Sequence, residues 1–498
     1  MIFVSSEAAA LRHGVYAQER TPPATIQATG TGVVGIVGQF PWGPMQQVVE
    51  PTGTKELLNM FGPRGMTLTG KGYLSLIGKG FPSLRIVRAL GTTAAKATAT
   101  LIETGPTSIA TVTAKYEGAE GNNIDCVVSN ASDGDADHFN LTVTVTGASG
   151  TTTDYFFNLN YSGTGADSTP TYTDKLLVSA ITKLASGRPD NGTYSMSAGS
   201  DGTVAASDYV GTAGSPDKGL SLFEDYSEIR HVCVDDPGNT LRAAVNAGLK
   251  AHADLMTDRI AYINGNSGVT TIASVGTDAA TYASDRVVYV DPWPYIYDDV
   301  DASEQLVPPA PFAASVCAQM SPSTSPAWKA TEVKKLLGAI VRLETPRGNA
   351  SSTNTTAGVM TIVKEKTGYA FEAGVLTVAP SNPALKRISR RRIGDYIAIS
   401  FVDSVRELVD APNVEVNQVS LVAALTKFMD TLVRNKGNDP NHTPHVIAYQ
   451  ILDLAGVNSA DDIASGKFTI PLNVRTSAGM EKIFLSIQFG ENVVINAS

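Results

Sequence analysis

Acidic side chains placed directly after apolar runs are the first residues of this 498-residue sequence that offer a chemistry. Asp235 and Asp236 follow Ile229–Val234, and Asp291 follows Arg286–Val290. The carboxyl ends of strands are where α/β enzymes collect nucleophiles, general bases and metal ligands, so these three acids would serve such an enzyme. No His, Lys or Ser partner is fixed beside them by a recognisable motif. Asp-Pro-Gly and Asp-Pro-Trp are also strong turn formers in their own right. Turn chemistry is the better reading of all three.

Other motif-like patterns fail on context. Gly30-x-Gly32-x-x-Gly35 spells a dinucleotide fingerprint, whose glycines must lie between a strand and a helix N-terminus to meet a pyrophosphate. Here they precede a strand, and Pro41 and Pro44 follow it. Asp298, Asp299 and Asp301 resemble part of a calcium loop but lack the spaced Gly and bidentate Glu. His442 and His445, near Asp439, are set in a turn by Pro440 and Pro444, and two imidazoles without a third ligand do not make a zinc site. Gly-x-Ser-x-Gly, P-loop and His-Glu-x-x-His motifs are absent. The expectation is a chain with no catalytic residue, no cofactor and no metal.

One basic cluster stands out: Lys386, Arg387, Arg390, Arg391 and Arg392. It would hold an acidic surface on a neighbouring subunit, or it is a solvated or internally paired face. The sequence leaves both open.

Composition sets the frame for these residues. With 43% hydrophobic and 17% charged residues, the chain reads as a soluble globular protein of several domains, each of roughly 150 residues. A net charge of −10 argues against nucleic acid as the main partner, since phosphate binding needs a basic footprint. Cys126, Cys233 and Cys317 are far apart and read as buried thiols. The amino-terminal MIFVSSEAAALRHG lacks the basic region of a secretory signal. The longest apolar helical pattern, 416–433, is interrupted by Lys427 and Asp430 and is not a membrane span. Folding in the cytoplasm of the producing cell is expected.

Periodicity then places the elements. Residues 1–28 read as an extended arm with a short helix-like stretch at Glu7–Arg12. Val33–Gly38 and Leu84–Leu90 read as strands, with helices at Thr54–Phe61 and Leu68–Lys79 between them, the outline of an α/β unit. Residues 92–174 hold 18 Thr among 83 positions, in alternating runs such as 141–147, which points to an inserted β-rich domain. Ile229–Val234, Thr240–Ala253, Arg259–Ile263 and Arg286–Val290 alternate strand and helix, so a parallel sheet with right-handed crossovers is expected. Val416–Val433 is an amphipathic helix with Leu421, Leu425, Phe428 and Leu432 on one stripe. Phe468–Val474 and Ile483–Phe489 alternate as a closing hairpin about 476–479, with Pro471 suited only to an edge.

The fold class expected is therefore α/β and multidomain: a discontinuous α/β core with an inserted β-rich domain and extended N- and C-terminal arms. Its expected parts are an arm at 1–28, a first core segment at 29–91, an inserted domain at 92–215, an α/β middle domain at 216–365, a C-terminal core domain at 366–480 and a terminal strand at 481–498.

Several segments, taken in order, resemble the contractile phage tail sheath proteins. His13-Gly14-Val15-Tyr16 with Glu19 is similar to the family's Pro-Gly-Val-Tyr-x-x-Glu arm, with His in place of Pro. The run 32–44 and Leu84–Leu90 resemble the family's strands before its insertion, and Tyr116–Ile124 resembles a segment of the inserted domain. Tyr289–Trp293, Val307–Ala310, Trp328–Ala330, the Arg-rich Ile388–Tyr396 and the closing hairpin follow in the family's order.

The resemblance implies a non-enzymatic structural subunit, a helical homopolymer of six-fold rings around a tail tube, in contact with baseplate and tail terminator proteins. It implies location in the virion, with no nucleic acid bound and no membrane insertion. Gly14, Val15, Tyr16, Ile26, Ile483, Leu485, Ile487 and Phe489 would form the arms that link subunits. Lys427, Arg434, Lys386, Arg390, Arg391 and Arg392 would face the tube or a neighbour. A type VI secretion or phage-derived bacteriocin sheath is the nearest alternative, and an α/β enzyme using Asp235, Asp236 and Asp291 the more distant one.

Overall fold

The computed structural model describes residues 2–3, 16–17, 32–63, 66, 83–105, 107–147, 150–162, 171–298, 303–328, 337–348, 351–366, 368–377, 386–406, 412–433 and 446–476. The chain divides into two compact units, one of residues 29–396 and one of residues 1–28 with 397–498.

The larger unit is built on a seven-stranded sheet. Its strands are β3 (Val33–Gly38), β4 (Ser83–Arg88), β12 (His231–Val234), β13 (Ile260–Asn264), β14 (Val287–Asp291), β18 (Val359–Glu365) and β19 (Gly368–Phe371). Their spatial order is β19-β18-β14-β13-β12-β3-β4, and every pairing is parallel except β18 with β19. The sequences VVGIVG, HVCV, IAYIN and VVYVD are continuous apolar runs because a parallel sheet is covered on both faces; β12, β13 and β14 are buried throughout.

Helices supply the cover. On one face lie Leu57 and Phe61 of α1 (Thr54–Phe61). The other face packs against α2 (Gly238–Met256), through Val245, Leu249 and Ala253, and α3 (Ile272–Thr281), through Val275 and Ala279. A further helix, α4 (Ala310–Gln319), joins the α1 face and is buried through Ala318. The winding reverses between β3 and β12, which makes the gap beyond Gly38 and Val234 a topological switch point, the usual ligand crevice of open α/β sheets.

Between β4 and β12 the chain builds two antiparallel sheets. Strands β5 (Lys96–Glu103), β6 (Thr107–Glu117) and β10 (Val178–Lys183) form the order β10-β6-β5. Strands β7 (Ile124–Asn130), β8 (His138–Gly147), β9 (Gly150–Asn160) and β11 (Gly192–Ser195) form the order β11-β7-β8-β9. Both sheets feed one hydrophobic cluster that includes Leu101, Val112, Cys126, Leu141, Val143 and Phe156. Along β8 each buried apolar residue alternates with a less buried polar one, so the Thr-rich face looks away from that core. A smaller sheet of β15 (Pro294–Asp298), β16 (Ser303–Leu306) and β17 (Ile340–Leu343) completes this unit's strands among the described residues. Helix α5 (Ile388–Val405) follows.

In the second unit, β1 (Ile2–Phe3) pairs in parallel with β2 (Tyr16–Ala17). Helix α6 (Glu415–Val433) buries Ala424, Leu425, Phe428, Met429 and Leu432. An antiparallel pair, β20 (Val446–Ile451) and β21 (Leu472–Thr476), is tied to α6 where the Tyr449 hydroxyl donates to Asp430 at 2.7 Å. The strand expected over Phe468–Val474 thus begins later, at Leu472, and its partner among the described residues is β20. Its expected hairpin partner Ile483–Phe489, like the helices expected at Glu7–Arg12 and Leu68–Lys79, lies outside the described residues.

Candidate functional site

Of the three strand-end acids, Asp236 and Asp291 are committed to partners within the chain. Asp236 accepts from the Gly238 amide at 2.8 Å and from Arg242 Nη2 at 2.6 Å. That is the short Asp-Pro-Gly turn read from the sequence, locked by a buried arginine that also lies 4.8 Å from the Trp293 ring centroid. Asp235 is half-buried at the switch point, beside Gly38. Burial raises its carboxyl from 3.8 to about 7, with the charge of Asp236 adding to the rise. Phe40 closes over the same place: a Cβ on Gly38 would stand 2.7 Å from its ring. A buried aromatic side chain thus packs against the strand end at the switch point.

Asp291 is more than a turn residue. It is buried, and Arg347 Nε and Nη2 donate to its two oxygens at 2.6 and 2.7 Å while Asn354 Nδ2 donates at 3.1 Å. Arg347 also donates to the carbonyls of Val269 and Thr270. A carboxylate held by three donors is a structural anchor, with its lone pairs committed. Arg347 carries no sequence signal, because it lies in a loop with no periodic pattern.

Among the described residues no group of three or more His, Cys, Asp or Glu is placed to hold a metal ion, and no helix is long and apolar enough to cross a membrane. Gly35, the last glycine of the fingerprint pattern, lies inside β3 under the Phe223 ring, and residues 39–53 separate β3 from α1. Backbone amides of a helix N-terminus therefore do not follow the glycines. Asp299, Asp301, Asp439, His442 and His445 lie outside the described residues. The three cysteines are buried free thiols, and burial pushes Cys126 up to about 12.

The basic segment at the start of α5 works largely inside its own unit. Arg392 is buried and donates to the carbonyls of Cys317, Met320 and Ser321 at 2.6, 2.8 and 3.3 Å. That places a cation on the carboxyl end of α4, where helix carbonyls lack partners and the dipole is negative. Arg391 pairs with Asp285 at 2.9 Å and with Asp395, which also takes two 3.0 Å bonds from Arg286. Lys386 Nζ donates to the Thr356 carbonyl at 2.7 Å. Arg387 and Arg390 are half-buried and engaged.

Exposed apolar side chains occur in both units, and in the second they gather on α6 and on the β20–β21 pair. Along α6, Val416 and Val419 are 77% and 61% exposed, and Lys427 is exposed further along the helix. On the β20–β21 pair, Ile447 and Val474 are exposed as well. Two-stranded sheets are marginal alone and need an added strand or a packed partner. Of the residues expected to form linking arms, Tyr16 lies in β2. Gly14, Val15, Ile26, Ile483, Leu485, Ile487 and Phe489 lie outside the described residues, as does Arg434.

Compared by sequence, the chain matches no family profile and no curated protein. Compared by structure, it superposes on a sheath tail protein from Desulfitobacterium hafniense with a TM-score of 0.62, at 16% identity, over 88% of this chain and 93% of that one. The fold is that of the contractile sheath proteins. A sheath tail protein from Listeria innocua gives 0.56 at 15% identity over 91% and 96% of the two chains. The helical sheath of the anti-feeding prophage in its contracted state gives 0.56 at 14% identity over 96% and 99%. The likeness in fold thus covers 88–96% of this chain, in keeping with the ordered segments that resemble the family in sequence.

Proposed function

We propose that this chain is the structural subunit of a contractile tail sheath, with no enzymatic activity. The observation that carries this reading is the likeness to sheath proteins over nearly the whole of both chains. Packing of Phe40 at the switch point and the in-chain commitments of Asp236 and Asp291 favour it over an α/β enzyme.

In this reading subunits form six-fold rings around a tail tube, and the rings stack helically because the heterologous interface from layer to layer does not close on itself. Terminal strands carrying Gly14, Val15, Tyr16 and Ile26 at one end and Ile483, Leu485, Ile487 and Phe489 at the other link each subunit to its neighbours by strand addition, for which the β20–β21 pair is the natural acceptor. The α6 surface bearing Lys427, continued by Arg434, faces the tube, and Lys386 and Arg390 contact a neighbour. The β-rich insertion, expected at 92–215, forms the outermost domain over the core that carries the seven-stranded sheet; that sheet includes β19, so the core continues past the expected limit of 365. The extended array is metastable and held by a barrier; a baseplate signal releases one layer, and rigid-body rotations shorten the sheath. Baseplate and tail terminator proteins bound its ends. The particle is a phage virion assembled in the host cytoplasm. The likeness to the anti-feeding prophage sheath favours, as second reading, a related injection device.

Negative-stain electron microscopy of the purified untagged protein at high concentration tests this. Hollow tubes with a ridged outer surface are expected. A uniform population of small particles, with or without tube protein, would sink the sheath reading.

A further inference from the structure

Two covalent threads join the β-rich insertion to the seven-stranded sheet, one leaving after β4 and one returning before the short helix Ala206–Val210. Two threads alone make a hinge. Here they are laddered together: the Gly91 amide donates to the Asp201 carbonyl at 2.9 Å, and Ala95 and Ser200 exchange bonds of 2.9 and 3.0 Å. The backbones pass so closely that a Cβ on Gly91 would stand 2.5 Å from the Thr203 carbonyl oxygen, and one on Gly199 2.5 Å from that of Gly118.

Arg88, the last residue of β4, sits at this neck and is 1% exposed. Its guanidinium donates to the carbonyls of Phe40, Pro41 and Gly43 at 2.7, 3.0 and 3.0 Å, all on the turn after β3. It also donates to the carbonyl of Glu117, at the end of β6 in the insertion, at 2.6 Å. Desolvation lowers its pKa to about 10, opposed by the negative charges of Asp201, Glu117 and Glu120, so it stays cationic at neutral pH. A planar fork of five donors makes this four-carbonyl contact, and an ammonium with three donors does not reproduce it. Gly118 (φ 131°) lets the insertion's backbone lie against Nη2, where a Cβ would come within 2.6 Å.

The same turn sends a second tie the other way. Trp42 is fully buried in the hydrophobic cluster of the insertion rather than in that of the sheet. Its ring meets Tyr116 edge to face at 5.5 Å, and its Nε1 donates to the Leu176 carbonyl at 3.1 Å.

We propose that Arg88 and Trp42 lock the insertion and the seven-stranded sheet into one rigid body. Contacts within one chain carry this, so it stands whether or not the sheath reading does. The insertion is then a fixed lever: a rotation of the sheet carries it along, and a load on the insertion passes through the 40–43 turn into β3 and β4.

The full-length chain tests it with spin labels on Thr193→Cys, exposed on β11, and Thr240→Cys, exposed on α2; the native thiols are buried. A single narrow distance distribution is expected, and a broad or two-peaked one overturns the proposal without any further variant. Hydrogen exchange on Trp42→Ala and Arg88→Lys then assigns the lock. The Gly91, Ala95 and Ser200 amides are expected to exchange roughly tenfold faster or more, while β12, β13 and β14 keep their protection. Unchanged exchange at the neck in both variants overturns the assignment to these residues. Should a variant unfold as a whole, the distance distribution of the otherwise wild-type chain decides.

Discussion

Asp291 and Arg347 lie 56 residues apart in sequence and meet through two hydrogen bonds of 2.6 and 2.7 Å, with side chains 8% and 2% exposed. One is the end of β14; the other belongs to the loop after β17. Together with the carbonyls of Val269 and Thr270, the pair ties the carboxyl end of β14 to the loop after β17 and to the chain after β13.

Removing one partner of such a pair leaves an uncompensated buried charge, at a cost of about 3–5 kcal/mol. Arg347→Met should therefore destabilise the chain by about that much. Asp291→Asn in the same background should recover a large part, because the stranded charge is gone. Urea denaturation of the two variants and the wild type checks this; a double variant no better than the single would mean the pair holds shape by packing alone.

Arg392 distinguishes an inward from an outward role for the basic segment. Its carbonyl contacts on α4 predict that Arg392→Ala lowers monomer stability by on the order of 2–3 kcal/mol, the scale of hydrogen bonds to a charged group. Arg392→Lys should lose less. Thermal melts at concentrations where the chain is monomeric check it. Unchanged melting together with weakened assembly would place Arg392 at an interface instead.

Much of this architecture was legible because local rules and tertiary fold agreed. Val33–Gly38 and Thr54–Phe61 appear with the limits read from the sequence, since glycines flank each and apolar residues fill the strand. Glu415–Val433 differs from its reading by one residue. Helix α4 was missed for a physical reason: APFAASVCA is buried on all sides, so it carries no stripe of period 3.6 to announce it. The functional reading of Asp291 also stopped short, because a turn motif is local whereas its partner Arg347 is not. Trp42 likewise reads as part of a Pro-Gly turn, and only the fold reveals that its ring belongs to the core of another domain. Of the two roles left open for the Arg-rich segment, the inward one of Arg391 and Arg392 rests on Asp285 and the α4 carbonyls, which are distant in the chain, and on Asp395, one helical turn away.

Half-buried Asp235 and buried His252 should give opposing pH dependences. Burial raises Asp235 from 3.8 to about 7, so between those values the folded chain holds a proton that the unfolded chain has lost, and stability falls as pH rises. Burial, with the Arg259 charge adding, lowers His252 from 6.5 to about 3. Between those values the unfolded chain holds the extra proton, and stability rises with pH. The two slopes nearly cancel from about pH 4 to 6.5. Asp235→Asn should therefore gain stability relative to wild type as pH rises through that window, and His252→Phe should lose it. Denaturation midpoints at pH 4.5, 5.5 and 6.5 check the two differences; parallel curves for all three proteins would show that neither group titrates as stated.

The arms offer the sharpest test of how subunits are joined. Ile483, Leu485, Ile487 and Phe489 alternate with period two, so all four fall on one face of an extended strand. Among the described residues, β20 and β21 pair only with each other, leaving exposed apolar side chains such as Ile447 and Val474 beside them. Strand addition to such a sheet draws its energy from main-chain bonds and its specificity from the buried face. Placing Asp or Lys at 483, 485, 487 and 489 puts charges on that face and leaves every residue of 29–396 as it is in the wild type. The variant should then be a folded, soluble monomer with the wild-type melting transition for its larger unit, and should form no tubes at concentrations where the wild type does. Sedimentation velocity and electron microscopy on the same sample read both properties. Tubes of normal length from the charged variant would exclude strand exchange through this segment, and the β20–β21 pair would need a different partner.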